Sequence, residues 1–171
     1  MEDYDRYIRP MEDRIIRSIW RIVQDPHDAE DALQDVLAAI WERRERVFKH
    51  ANPTALILRM CTNSAYDVVR RRLKDKRLTS AAARQADAER PDGSPLTALV
   101  HRERHDQLLQ AIGRLSRKQA QAVLMRLVEQ MSYSEIAAAL QCSEGTARVH
   151  VQRGRHQLRR RLAKTGPEAV R

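Results

Sequence analysis

The sequence predicts an all-α protein of two small helical domains joined by a flexible linker, the C-terminal one a helix-turn-helix. Three observations predict it. Alanine, leucine, arginine, glutamate and glutamine abound, whereas there are only 5 glycines and aromatics make up 4%; such residues favour helices over strands. Apolar residues recur every three or four positions through most of the chain, which is the helical period. Between residues 78 and 100 this periodicity stops, in "LTSAAARQADAERPDGSPLTALV", a stretch rich in turn-forming residues. The domains are therefore placed at 1–77 and 104–163, with 78–103 as linker.

In the first domain Ile8, Met11, Ile15, Ile19 and Ile22 mark one amphipathic helix. "QDPHDAED" then offers Asp25 as N-cap and Pro26 at the first helical position, where a missing N–H costs nothing. Asp28, Glu30 and Asp31 fall near the positive end of the helix dipole. This second helix is expected to end near Val47, with Leu33, Val36, Leu37, Ile40 and Trp41 on its inner side. Asn52 can cap and Pro53 can open a third helix running from about Thr54 to about Lys76. Its apolar stripe is Leu58, Cys61, Ala65, Val68 and Val69. Another face carries Arg59, Asn63, Tyr66, Arg70 and Lys74. Cations that follow phosphates, with a flat side chain among them, suit single-stranded nucleic acid; a solvated helix face is the plainer reading.

In the second domain Leu108, Leu109, Ile112 and Leu115 line one helix. Ser116 with Gln119, and Ser132 with Glu135, stand at capping-box spacing. The helix after Ser116 is to bury Val123, Leu124, Leu127 and Val128, and that after Ser132 is to bury Ile136, Ala137 and Leu140. Ser143 caps the last helix, whose core side is Ala147, Val151, Leu158 and Leu162. Two helices across a three-residue turn match the helix-turn-helix. The final helix then turns Thr146, Arg148, Val149, Gln152 and Arg153 to solvent near its start. Arginine can grip guanine and glutamine adenine through paired hydrogen bonds, and valine can touch a thymine methyl. Arg155, Arg159, Arg160 and Arg161 lie further along, where phosphates are in reach. A generic helical hairpin with a basic surface is the alternative.

Charge follows the same division. The net charge is +9, with −4 over residues 1–47, +6 over 48–78, −1 over 79–103 and +8 over 104–171. A basic chain favours an anionic partner, nucleic acid first and an anionic membrane surface second. The acidic front calls for a partner of another kind. Cys61 and Cys142 are far apart, as in a reduced cytoplasmic protein. No apolar run approaches 18 residues, so membrane insertion is not expected.

"LSRKQAQAVLMRLVEQMSYSEIAAALQCSEGTARVHVQRGRHQLRRRL" resembles region 4, the promoter-reading domain, of bacterial sigma factors of the extracytoplasmic-function group. Ser132, Tyr133, Glu135, Ile136, Ala137, Leu140, Ser143, Gly145, Thr146, Arg153, Arg155 and Leu158 match its pattern. "DPHDAEDALQDVLAAIW" resembles region 2, and "NPTALILRMCTNSAYDVVRRR" its continuation, with Asn63, Asp67, Arg70 and Arg71 on family positions. There are departures: Leu56 replaces a usual tryptophan, "LSR" a leucine-proline pair, and "GTARV" the more frequent "GTVKS".

The resemblance implies a factor, not an enzyme, that works without metal or cofactor. Core RNA polymerase would be bound through its beta-prime clamp and beta flap, the clamp meeting Asp31, Leu33, Gln34 and Asp35. Thr146, Arg148, Val149, Gln152, Arg153 and Arg155 would read the minus-thirty-five element in duplex DNA. Lys49, His50, Asn52, Arg59, Asn63, Tyr66, Asp67, Arg70, Arg71 and Lys74 would recognise and melt the minus-ten element and hold its single strand. An anti-sigma factor is a further implied partner, and a stable homodimer is not expected. A stand-alone dimeric helix-turn-helix regulator is the rival; it leaves the region 2 match unexplained. His101 and His105 have zinc-ligand spacing but no third ligand beside them.

Overall fold

The computed structural model describes residues 4–79 and 95–163. The first apolar stripe is buried as expected, but not on one continuous α-helix. A π-turn (Tyr4–Ile8) and a 3-10 turn (Arg9–Met11) precede α1 (Glu12–Val23); Pro10, with no N–H, sits in the 3-10 turn. Asp25 caps α2 (Pro26–Glu42), its carboxylate accepting from the Asp28 N–H at 3.1 Å. That bond, aided by Arg72, holds the Asp25 carboxyl below its usual range. Arg72 binds both Asp25, at 3.0 Å, and Asp28, tying the start of α2 to α4 (Pro53–Thr79).

α2 stops at Glu42 rather than near Val47, and a separate α3 (Arg44–Phe48) follows. Its buried face is Ala29, Ala32, Val36 and Ile40, with Leu33 only partly buried. Leu37 and Trp41, expected inside, are 37% and 59% exposed. Each lies one position, about 100° of helix, beyond the buried Val36 and Ile40. The alanines let α2 lie close enough to α4 for the Ser64 hydroxyl to bond the Ala32 carbonyl at 3.1 Å. Asn52 caps α4 through its side-chain oxygen, 2.9 Å from the Ala55 nitrogen.

The second bundle holds α5 (Pro95–Gly113), α6 (Arg117–Leu127), α7 (Tyr133–Leu140) and α8 (Glu144–Ala163). α5 begins inside the stretch 78–103 read as linker, and residues 80–94 of that stretch lie outside the described residues. Ser132 and Glu135 form the full capping box of α7. The box expected at Ser116 does not form: its side chain makes no cap bond, and Gln119 instead bonds Gln157 of α8 at 3.1 Å. Leu108 and Leu127 are exposed rather than internal. Gly154 marks where α8 crosses α6, since a Cβ there would lie 2.5 Å from Val123 Cγ2 and 3.3 Å from the Gln119 carbonyl oxygen.

The two bundles share one continuous core. α4 packs on α1 and α2 on one side and on α5, α6 and α7 on the other.

Candidate nucleic-acid interface

Ser143 caps α8, its hydroxyl accepting the Thr146 N–H at 3.1 Å. Ala147, Val151, Gly154 and Leu158 are buried, so the helical period turns Thr146, Arg148, Val149, Gln152, Arg153 and Arg155 outward together. All six expected reading residues are exposed on one helix. Arg148 is already oriented: it donates to Glu144 at 3.0 Å, and its guanidinium lies 4.4 Å from the Tyr133 ring centre. Arg126 approaches the same ring at 5.0 Å. Tyr133 thus holds two guanidiniums from α7, one of them on the exposed face of α8; the sequence pattern matched it to the family without giving it a role. Burial, then Lys118 and Arg153, lowers the His150 pKa beside this face.

The residues expected to handle the minus-ten strand divide into two sets. Arg70, Arg71 and Lys74 are exposed along α4, with the Arg70 guanidinium 5.9 Å from the Tyr66 ring centre. Lys49 is exposed and pairs with Glu45 at 3.6 Å. His50 and Asn52 build the turn before α4, where His50 Nδ1 accepts the Asn52 N–H at 3.1 Å. The other set faces the second bundle. Tyr66 was expected on a solvent-facing stripe; it is 1% exposed, and its hydroxyl donates to the Leu115 carbonyl at 2.9 Å. The reason is tertiary: the loop between α5 and α6 covers a stripe that α1 and α2 leave open. Burial raises the Tyr66 pKa. Asp67 pairs with Arg117 at 2.7 Å. Arg59 donates to the Ala139 carbonyl of α7, and burial, then the nearby cations Arg46 and Arg117, disfavours its charge. Asn63 is half-buried, its side-chain oxygen without a hydrogen-bond partner.

On α2, Asp31, Gln34 and Asp35 are exposed and Leu33 is half-buried. Beside them stand Leu37 and Trp41, with the Arg44 guanidinium 5.2 Å from the Trp41 ring. These two apolar side chains extend the acidic patch into a mixed acidic and apolar face. Sequence reasoning missed them by assigning them to the core. Among the described residues no group of three or more His, Cys, Asp or Glu could hold a metal, and no helix is long and apolar enough to cross a membrane. His105 is half-buried, and burial lowers its pKa; the side chain of His101 is outside the described residues.

The model of sigma-70 region 2 matches residues 7–74, and that of sigma-70 region 4 matches residues 105–158. The chain is 30% identical to an RNA polymerase sigma-E factor of Streptomyces coelicolor, across 94% of this chain and 86% of that one. It is also 30% identical to an ECF RNA polymerase sigma factor, SigE, of Mycolicibacterium smegmatis, across 99% of this chain and 65% of the relative. The fold resembles that of the sigma factor RpoE of Bartonella quintana, solved with the anti-sigma factor NepR, with a TM-score of 0.56, 21% identity, and coverage of 95% and 98% of the two chains. A region 2 and a region 4, in that order, with relatives aligned over nearly the whole length, assign the chain to the sigma-70 family, as an RNA polymerase sigma factor of the extracytoplasmic-function group.

Proposed function

We propose that this sigma factor binds core RNA polymerase, carries it to specific promoters and helps melt the minus-ten element. It is an initiation factor and not an enzyme. The observation that carries the reading is the set of separate outward faces, each chemically suited to its target. α8 offers six exposed residues rich in arginine at the start of a helix-turn-helix recognition helix, suited to base edges in the major groove. α2 offers an acidic and apolar face for the polymerase clamp. α4 offers Arg70, Arg71 and Lys74 for the phosphates of the opened strand, with Arg59, Asn63, Tyr66 and Asp67 beside them and Lys49, His50 and Asn52 at its entrance.

Melting takes bases out of their stack, at a cost of about a few kcal/mol each. A basic helix that holds the freed strand offsets that cost. The beta flap meets region 4, the factor acts in the cytoplasm beside the polymerase, and an anti-sigma factor holds it in check. The test is transcription in vitro with core polymerase, this chain and genomic DNA, with RNA 5′ ends mapped. Starts at defined sites only when the chain is present are expected. Specific duplex binding by a dimer of the chain alone, with no start sites, favours the rival regulator.

A further inference from the structure

We infer that the single-strand face of α4 is also a docking surface for the α6–α7 unit of the same chain, and that closing it there masks the minus-ten contacts alone. The inference rests on the assignment of α4 to the opened strand. Arg59, Asn63, Tyr66 and Asp67 all lie at this seam. Three of them bond the second bundle, through the Ala139 carbonyl, the Leu115 carbonyl and Arg117. A side chain cannot hold these partners and a DNA strand at once. The reading residues of α8 and the acidic face of α2 remain exposed in this same arrangement. The closed chain therefore keeps the α2 and α8 side chains accessible while unable to hold an unpaired strand with this half of α4.

A second contact holds the seam shut. Glu129, in the loop between α6 and α7, is only 8% exposed. Its carboxylate meets Arg14 of α1 at 3.4 Å, and Arg14 and Arg21 also donate to the Glu129 and Val128 carbonyls, at 3.3 and 3.1 Å. A groove of about 260 Å³ remains there, lined by Arg14, Arg17, Ser18, Arg21, Glu129 and their neighbours.

The seam is imperfectly satisfied, so it is poised to open. Of the five buried side-chain polar atoms without a partner among the described residues, four lie along it: Ser18 Oγ, Arg59 Nε, Asn63 Oδ1 and Glu129 Oε1. Each regains a hydrogen bond from water, or from DNA, when the bundles separate. Closure thus competes with strand binding and reduces apparent affinity by the fraction of chain that is open.

The test uses the full chain carrying Arg117→Ala and Glu129→Ala together, which leaves the net charge at +9. Neither residue belongs to the reading or strand-holding sets. Affinity for a fluorescein-labelled random-sequence single-stranded DNA 12-mer is read by anisotropy, and the radius of gyration by X-ray scattering. The variant is expected to exceed the roughly 16 Å of a compact chain of this length and to bind the 12-mer about tenfold more tightly. Expansion without tighter binding overturns the masking, and so does a variant that stays compact with unchanged affinity. The unsubstituted chain supplies a measurement that does not depend on the variant's folding: saturating 12-mer must enlarge it, and binding without enlargement, or no binding by either form, also refutes the inference. Failure of the assignment to promoters has a separate signature, the absence of defined start sites with core polymerase.

Discussion

Replacing Tyr66 by Phe isolates one bond of the seam. The ring, its packing and its neighbour Arg70 are kept; only the hydroxyl that donates to the Leu115 carbonyl at 2.9 Å is lost. With Tyr66 at 1% exposure, water does not reach the abandoned carbonyl without separating the bundles. Leaving a buried acceptor unsatisfied costs about 1–3 kcal/mol, and the slightly more apolar Phe returns part of this, so a net loss of about 1–2 kcal/mol is expected. For a chain of this size each kcal/mol shifts the melting temperature by about 2–4 °C. Thermal unfolding followed by circular dichroism at 222 nm should therefore show a fall of about 2–8 °C. A shift below about 1 °C would mean that the hydroxyl is hydrated in solution, and the packing of α4 on the α5–α6 loop would have to be abandoned.

Arg148→Ala should change which upstream sequence is preferred, by about 1–3 kcal/mol at one base pair, whereas Arg160→Ala should weaken binding to all promoters alike; an Arg148 variant with an unaltered preference profile removes that residue from the reading set. Gln141 ends α7 at a φ of 54°, a conformation glycine adopts without strain, so Gln141→Gly should stabilise by about 0.5–1 kcal/mol in urea titrations, and a loss of stability would refute the strain. His105 and His150 both have pKa values lowered by burial. Folding therefore favours their neutral forms, and the associated stability is present above the unfolded pKa of about 6.5 and lost as pH falls through the lowered values. The melting temperature should decline below about pH 6.5, less so in a His105→Gln variant; equal declines would clear His105. Burial pushes the Cys61 thiol up to about 12, so iodoacetamide at pH 8 should modify only Cys142 in the native chain, and prompt labelling of Cys61 would show an open core.

Much of this protein was legible from residue order because helices are local objects. The caps at Asp25, Asn52, Ser132 and Ser143 involve residues three apart, and all four form. The outward set on α8 was legible for the same reason: once Ala147, Val151 and Leu158 are assigned inward, the helical period leaves one direction for Arg148, Gln152 and Arg153. Local spacing failed where another element decides. The sequence of α2 contains two apolar stripes, and only α4, lying against the alanines, determines that Leu37 and Trp41 stay outside. Gln119 suits a capping box at Ser116, yet Gln157 of α8 takes its side chain.

The sequence by itself thus determined the family, through two long motifs in order, and the helical class, most caps and which side chains α8 turns outward, through contacts within a few residues. Tertiary structure alone decided that Tyr66 is buried, that Asp67 meets Arg117, and that Glu129 is enclosed beside Arg14. Those partners are 49, 50 and 115 residues apart. Nothing in the local pattern of either partner specifies the meeting, because it depends on how two separately patterned bundles settle on the two sides of one helix.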